Sequence, residues 1–149
     1  MNLFNEEEIE LLDKAYSKFN DYLESDKFVL VHNDLHFDNI IYNEGKIKLI
    51  DFERSLYAPK DFELDIIYRM IRKPWKFAIE EIEPYTKLSD YKNIMKYIEK
   101  YYPELINTKY LYKRLAIYDI VYYLKHLINY PTLKELKDDI LNAAKNVIE

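Results

Sequence analysis

The chain of 149 residues has no cysteine and only one glycine. Without cysteine there is no disulfide and no Cys-based zinc or redox centre. With Gly45 as the single glycine, phosphate-binding loops of the G-x-G-x-x-G and G-x-x-x-x-G-K types are both excluded, because each needs several glycines for the backbone to approach a phosphate. Long apolar runs are missing too. Nothing resembles a signal peptide or a membrane span, so the expectation is a cytoplasmic chain with no membrane partner. A basic surplus is also absent: 22 Lys and Arg stand against 27 Asp and Glu, for a net charge of -5, which argues against nucleic acid and for a cationic partner. What the sequence has in quantity is apolar side chain, 49% hydrophobic residues with 16 Tyr. A chain of this size buries roughly 70% of its unfolded surface, so a single domain over 1–149 is expected to fold without staples.

Residues able to do chemistry concentrate in one place. The stretch Val31-His32-Asn33-Asp34-Leu35-His36-Phe37-Asp38-Asn39 is followed, after two short apolar runs, by Ile50-Asp51-Phe52-Glu53. Residues 28–31, 40–42 and 47–50 read as strands, and Asn43-Glu44-Gly45 as the turn joining the last two. In an antiparallel pair closed by a tight turn, the residue entering one strand lies beside the residue leaving the other. Here those residues are Asn39 and Asp51, and the polar loop 31–39 would display Asp34 next to them. Phosphoryl transfer from a Mg-nucleotide needs one carboxylate to accept or orient the acceptor's hydroxyl proton, and an amide with a second carboxylate to hold the metal ions. Asp34, Asn39 and Asp51 can fill those roles.

These runs resemble the catalytic loop (31–39 here) and metal loop (50–53 here) of the aminoglycoside phosphotransferase and choline kinase superfamily, distant relatives of protein kinases. That family carries His-Gly-Asp-Leu-His-x-x-Asn and Ile-Asp-[Phe/Trp]-Glu patterns. The likeness continues through Asp61-Phe62-Glu63-Leu64-Asp65, similar to the family's Asp-Pro-x-x-Asp-Leu segment. The resemblance implies that Asp34 is the catalytic base, that Asn39 and Asp51 hold Mg2+ and with it the nucleotide, and that His32 and Asp65 brace the loop. It implies ATP or GTP as phosphoryl donor and a small cationic, hydroxyl-bearing acceptor, with aminoglycoside-like amino sugars favoured and choline, homoserine or other small alcohols as alternatives. Two positions depart from the pattern. Asn33 stands where the family often has Gly, a mild change because Asn tolerates positive φ best among the others. Phe62 stands where Pro is usual. A larger departure is that only a short, apparently helical segment, 1–27, precedes the first strand, so the nucleotide-covering N-terminal lobe is expected to be absent and a second polypeptide to supply it.

Two other classes compete. His32, Asp34 and His36 alternate, so on an extended strand they would share one face as in a metal-dependent hydrolase; the only other His, His126, lies in an apolar helical segment. A non-catalytic binding module, or a fragment of a longer kinase, is the third reading. Glu80, Glu81, Glu83 and Asp90 are candidates for the wall of a cationic acceptor's site, against the plainer reading of solvated helix faces.

The remainder reads as helical, which makes the expected class α+β, mainly α, a helical lobe carrying one small hairpin; the resemblance implies that this is the C-terminal lobe of a protein-kinase-like fold. A helix over 5–23, capped by Asn5, should pack beside the hairpin. Asp61 should cap a helix to Arg72, a short helix should run over 75–83, and another should open at Ser89-Asp90 and reach Tyr101, with Pro103 ending it or starting the next element. A long helix from Thr108 to Ile128, apolar around most of its circumference, should be central and buried. Thr132 with Glu135 has the form of a capping box for a final helix.

Overall fold

The computed structural model describes residues 3–23 and 27–149. The parts of the expected N-terminal helical segment that fall on residues 1–2 and 24–26 lie outside the described residues. The chain divides into two compact units, one of residues 27–108 and the other of residues 1–26 with 109–149. The class is mainly helical α+β with small antiparallel sheets.

In the 27–108 unit, β1 (Phe28–Val31) pairs with β4 (Leu56–Pro59), and β2 (Ile40–Asn43) pairs with β3 (Lys46–Leu49), each pair antiparallel. The β2–β3 turn is Glu44-Gly45, with φ of 48° and 77°. Positive φ at both central residues is what a two-residue hairpin turn demands, and it explains where the one glycine sits. The segment Leu56–Pro59 forms β4 because β1 would otherwise leave a row of peptide groups unpaired, and Pro59 is tolerated at the strand's end, opposite Phe28.

Beyond β4 a 3₁₀ turn (Lys60–Glu63) leads into α3 (Leu64–Arg72), so the helix begins three residues after Asp61, which is buried in the turn instead of capping. The expected helix over 75–83 does not form. Its place is taken by two 3₁₀ turns, Pro74–Phe77 and Glu83–Tyr85, each with a proline in its first two positions, where a missing N–H costs nothing. The next helix is interrupted after one turn into α4 (Leu88–Tyr91) and α5 (Ile94–Tyr101), and Pro103 opens α6 (Pro103–Ile106).

The other unit is built on helices alone. Asn5 caps α1 (Glu6–Ser17) through a reciprocal capping box: its side chain accepts from Glu8 N at 2.9 Å, and the Glu8 carboxylate accepts from Asn5 N at 2.7 Å. A short α2 (Phe19–Tyr22) follows. Helix α7 (Leu111–Asn129) starts after Tyr110, which is left-handed at φ 60°, and carries most of this unit's buried side chains. In α8 (Lys134–Ile148) the expected capping box is absent, because the helix starts two residues after Thr132 and its N-cap is Leu133. Ala15, Ile117, Ile120, Tyr123, Leu127, Ile140, Ala144 and Val147 form one core, in which α1 packs on α8. The buried Arg114 guanidinium closes the end of α2 by donating to Tyr22 O at 2.9 Å. No helix among the described residues is long and apolar enough to cross a membrane.

Candidate active site

The loop after β1 turns because Asn33 is left-handed, at φ 61°. The same conformation recurs at Asp51, also φ 61°, just past β3. Asn and Asp adopt it at least cost among the non-glycine residues, and it breaks both strands so that each loop folds back toward the other. Three cross-loop bonds then join them. His32 Nε2–H donates to Ile50 O at 2.8 Å, Asn33 Nδ2 donates to Arg54 O at 3.1 Å, and Ile50 N donates to Asn39 O at 3.1 Å. The buried Asn39 also reaches back, its Nδ2 donating to Asp34 O at 2.8 Å. Asp34, Asn39 and the residue before Asp51 are therefore one hydrogen-bonded constellation.

Around Asp34 the charges are mixed. Arg54 Nε lies 3.8 Å from Asp34 Oδ2, and His36 Nε2 lies 3.9 Å from Oδ1, both too long for hydrogen bonds. The Asp34 side chain is 15% exposed, whereas Asp51 is open to solvent. His32 is buried and stacks on Phe52 with ring centroids 4.6 Å apart.

Asp65 was expected to brace the loop by accepting from the backbone at 32–34. It is buried, but its carboxylate is bonded to Arg69 one turn along α3. Burial pushes the Asp65 carboxyl above the usual range, opposed by the Arg69 charge. The brace belongs to Glu63, whose Oε2 accepts from His32 N at 2.6 Å. Sequence reasoning missed it because Glu63 and Asp65 stand two residues apart in the same acidic segment, and the 3₁₀ turn before α3 decides which of them faces the loop.

The hydrolase arrangement is not formed. Left-handed Asn33 breaks the extended run that this reading needs, and the His32 Nε2–H is spent on Ile50 O. No group of three His, Cys, Asp or Glu placed to hold a metal ion occurs among the described residues. His126 is half-buried against Tyr122, ring centroids 4.3 Å apart. Glu80, Glu81, Glu83 and Asp90 are all exposed, and Asp90 is occupied at the start of α4, accepting from Lys87 N at 2.9 Å.

Asn39 and Asp51 suit a hard cation. Both amide hydrogens of Asn39 are directed into its own loop, toward Asp34 O and His36 Nε2, which leaves its Oδ1 as the free donor atom. Oxygen donors of this kind, one amide and one carboxylate, match Mg2+, which takes one or two protein ligands and completes its shell with phosphates and water.

The sequence profile of the family described as APH, phosphotransferase enzyme family, matches residues 3–85. No curated protein and no solved structure matches the chain. The matched span exceeds half of the 149 residues and takes in both loops and the acidic segment behind them, and on that footing the chain belongs to the phosphotransferase enzyme family.

Proposed function

We propose that this chain is the base-and-metal portion of a kinase that transfers the γ-phosphoryl group of ATP or GTP to a hydroxyl of a small cationic molecule. The observation that carries the reading is the position of Asn39, whose side chain is bonded to the Asp34 backbone and whose carbonyl is bonded to the residue preceding Asp51. In the proposal Asp34 accepts or orients the proton of the acceptor hydroxyl, and Asn39 and Asp51 hold Mg2+. When bound, that ion neutralises charge on the β- and γ-phosphates. His32 fixes the spacing of the two loops by its bond to Ile50 O, and Asp65 with Arg69 stiffens the helix behind them. The family profile starts in one compact unit and runs into the other as far as residue 85, so it takes in parts of both; the proposal that 1–149 is one kinase-like C-terminal lobe extends that reading to the helices beyond. An aminoglycoside-like amino sugar is the favoured acceptor, because the chain is acidic overall and the family's name-giving substrates are polycations. Choline and homoserine are the alternatives.

Catalysis of this reaction is mostly positioning and electrostatic stabilisation in a site that excludes water. The 149 residues hold no glycine-rich loop to wrap the phosphates, so the proposal assigns that cover to polypeptide outside them. Calorimetry with a non-hydrolysable nucleotide and MgCl2, run beside an acceptor screen for nucleoside diphosphate release, tests it. The expected result is weak, magnesium-dependent binding, with a Kd on the order of several hundred micromolar, and turnover only when the cover is supplied, abolished by Asp34→Asn. Tight binding with turnover by these residues alone would refute the need for a cover. Absence of any magnesium-dependent binding would favour a non-catalytic module.

A further inference from the structure

An amide side chain can ligate a cation only through its oxygen, and a half-turn about its last bond puts the nitrogen there instead. Something must therefore choose the orientation of Asn39. The Asp34 carbonyl is one selector: it can only accept, so Asn39 Nδ2 must face it, at 2.8 Å. The second amide hydrogen points to His36 Nε2 at 3.3 Å, and that contact is attractive only when Nε2 carries a lone pair. On the other side of the ring His36 Nδ1 lies 3.5 Å from Asp38 Oδ2, a group that only accepts and so favours a proton there, while the Asp34 carboxylate, 3.9 Å from Nε2, is beyond hydrogen-bond reach. His32 has the opposite requirement, because its Nε2 faces the carbonyl of Ile50.

We infer that His36 is a positioning residue for the metal site: in the Nδ1–H form, which the nearby Asp38 carboxylate favours, it accepts the second N–H of Asn39 and so keeps the Asn39 oxygen turned toward the cation. The inference rests on the reading of Asn39 as a magnesium ligand. It makes a metal-binding arrangement out of a residue that touches neither metal nor substrate, as outer partners of ligands do elsewhere. It also means that two histidines of one short loop carry their protons on different ring nitrogens.

The test has two arms. Long-range proton–nitrogen NMR of the full chain with ring-labelled histidine, at about pH 8.5 and so about two units above the ordinary imidazole value, reads the tautomers, with His36→Gln and His126→Gln spectra giving the assignments. His36 is expected as Nδ1–H and His32 as Nε2–H; His36 found as Nε2–H overturns the inference. The second arm measures Mn2+ binding by electron paramagnetic resonance in the presence of a non-hydrolysable ATP analogue. His36→Leu is expected to weaken Mn2+ binding about tenfold, and His36→Gln, which retains an acceptor, to restore most of it. Wild-type affinity in His36→Leu, together with weakened binding in Asn39→Ala, overturns the role of His36 and leaves the metal reading standing. Wild-type affinity in Asn39→Ala overturns both. The tautomer arm reads the unaltered chain, so it decides even where His36→Leu fails to fold.

Discussion

Asp65 and Arg69 face each other within α3 with side chains only 8% and 7% exposed. Asp65→Ala takes the carboxylate away from a buried guanidinium and is expected to cost about 3–5 kcal/mol of stability, read as a fall in denaturation midpoint. The pH dependence is separate. Because burial raises the Asp65 carboxyl in the folded chain, the native state binds more protons than the unfolded one between the ordinary Asp value, about 3.9, and that raised value. Stability contributed by Asp65 is therefore full below that window and declines as pH climbs through it. Wild type measured against Asp65→Asn should lose ground across the same window, and a difference that grows with pH would contradict the assignment. Asn33 offers a second check. Asn33→Ala removes the bond to Arg54 O and puts an alanine at φ 61°, for a loss of about 1–2 kcal/mol. Asn33→Gly should lose less, since glycine takes that φ freely. At this scale the sequence made legible that Asn39 would lie beside Asp34 and beside the residue before Asp51, because spacing around a hairpin is a geometric statement. It hid Glu63, Arg54 and the ties of His36, because which side chain meets a loop depends on a turn of less than four residues.

Elements were legible in proportion to how much their own sequence decides them. The capped start of α1 and the β2–β3 hairpin follow from local chemistry, and both lend themselves to measurement. Asn5→Ala should destabilise the chain by about 1 kcal/mol in chemical denaturation. Glu8 is held below the usual carboxylate range, chiefly by its bond to Lys137 and then by Asn5 N, so its contribution is present above the ordinary Glu value and is lost as pH falls through the depressed one. A Cβ at Gly45 would meet nothing within 4 Å, so Gly45→Ala should carry only the backbone cost of φ 77°, about 1 kcal/mol. Gly45→Asn should cost less. Strand β4 and the turns over 74–85 were not legible in the same way. The strand exists because β1 needs a partner, and the prolines at 74 and 84 cut a helical pattern into turns too short for periodicity to register.

For the whole molecule, the two units can be followed by different signals. Trp75, the only tryptophan, belongs to the 27–108 unit, while the long helices α1, α7 and α8 dominate the other. Ile140 is fully buried in the helical core, and Ile140→Ala should cost about 2–5 kcal/mol, monitored by far-ultraviolet circular dichroism. The mainly helical class was readable from composition and period; the division into units was not, because it depends on contacts between segments far apart in the chain. That division has a consequence for the order in which the protein is made. Residues 27–108 are contiguous, so the loops carrying Asp34, Asn39 and Asp51 can reach their fold as soon as that stretch has left the ribosome. Helix α1 is synthesised before all of it, whereas the surface it packs against, α8, follows it in the chain. Until α8 emerges, the apolar stripe of Leu11, Leu12 and Ala15 lacks the surface it meets in the folded unit, so the helical unit closes after the stretch 27–108 can have folded.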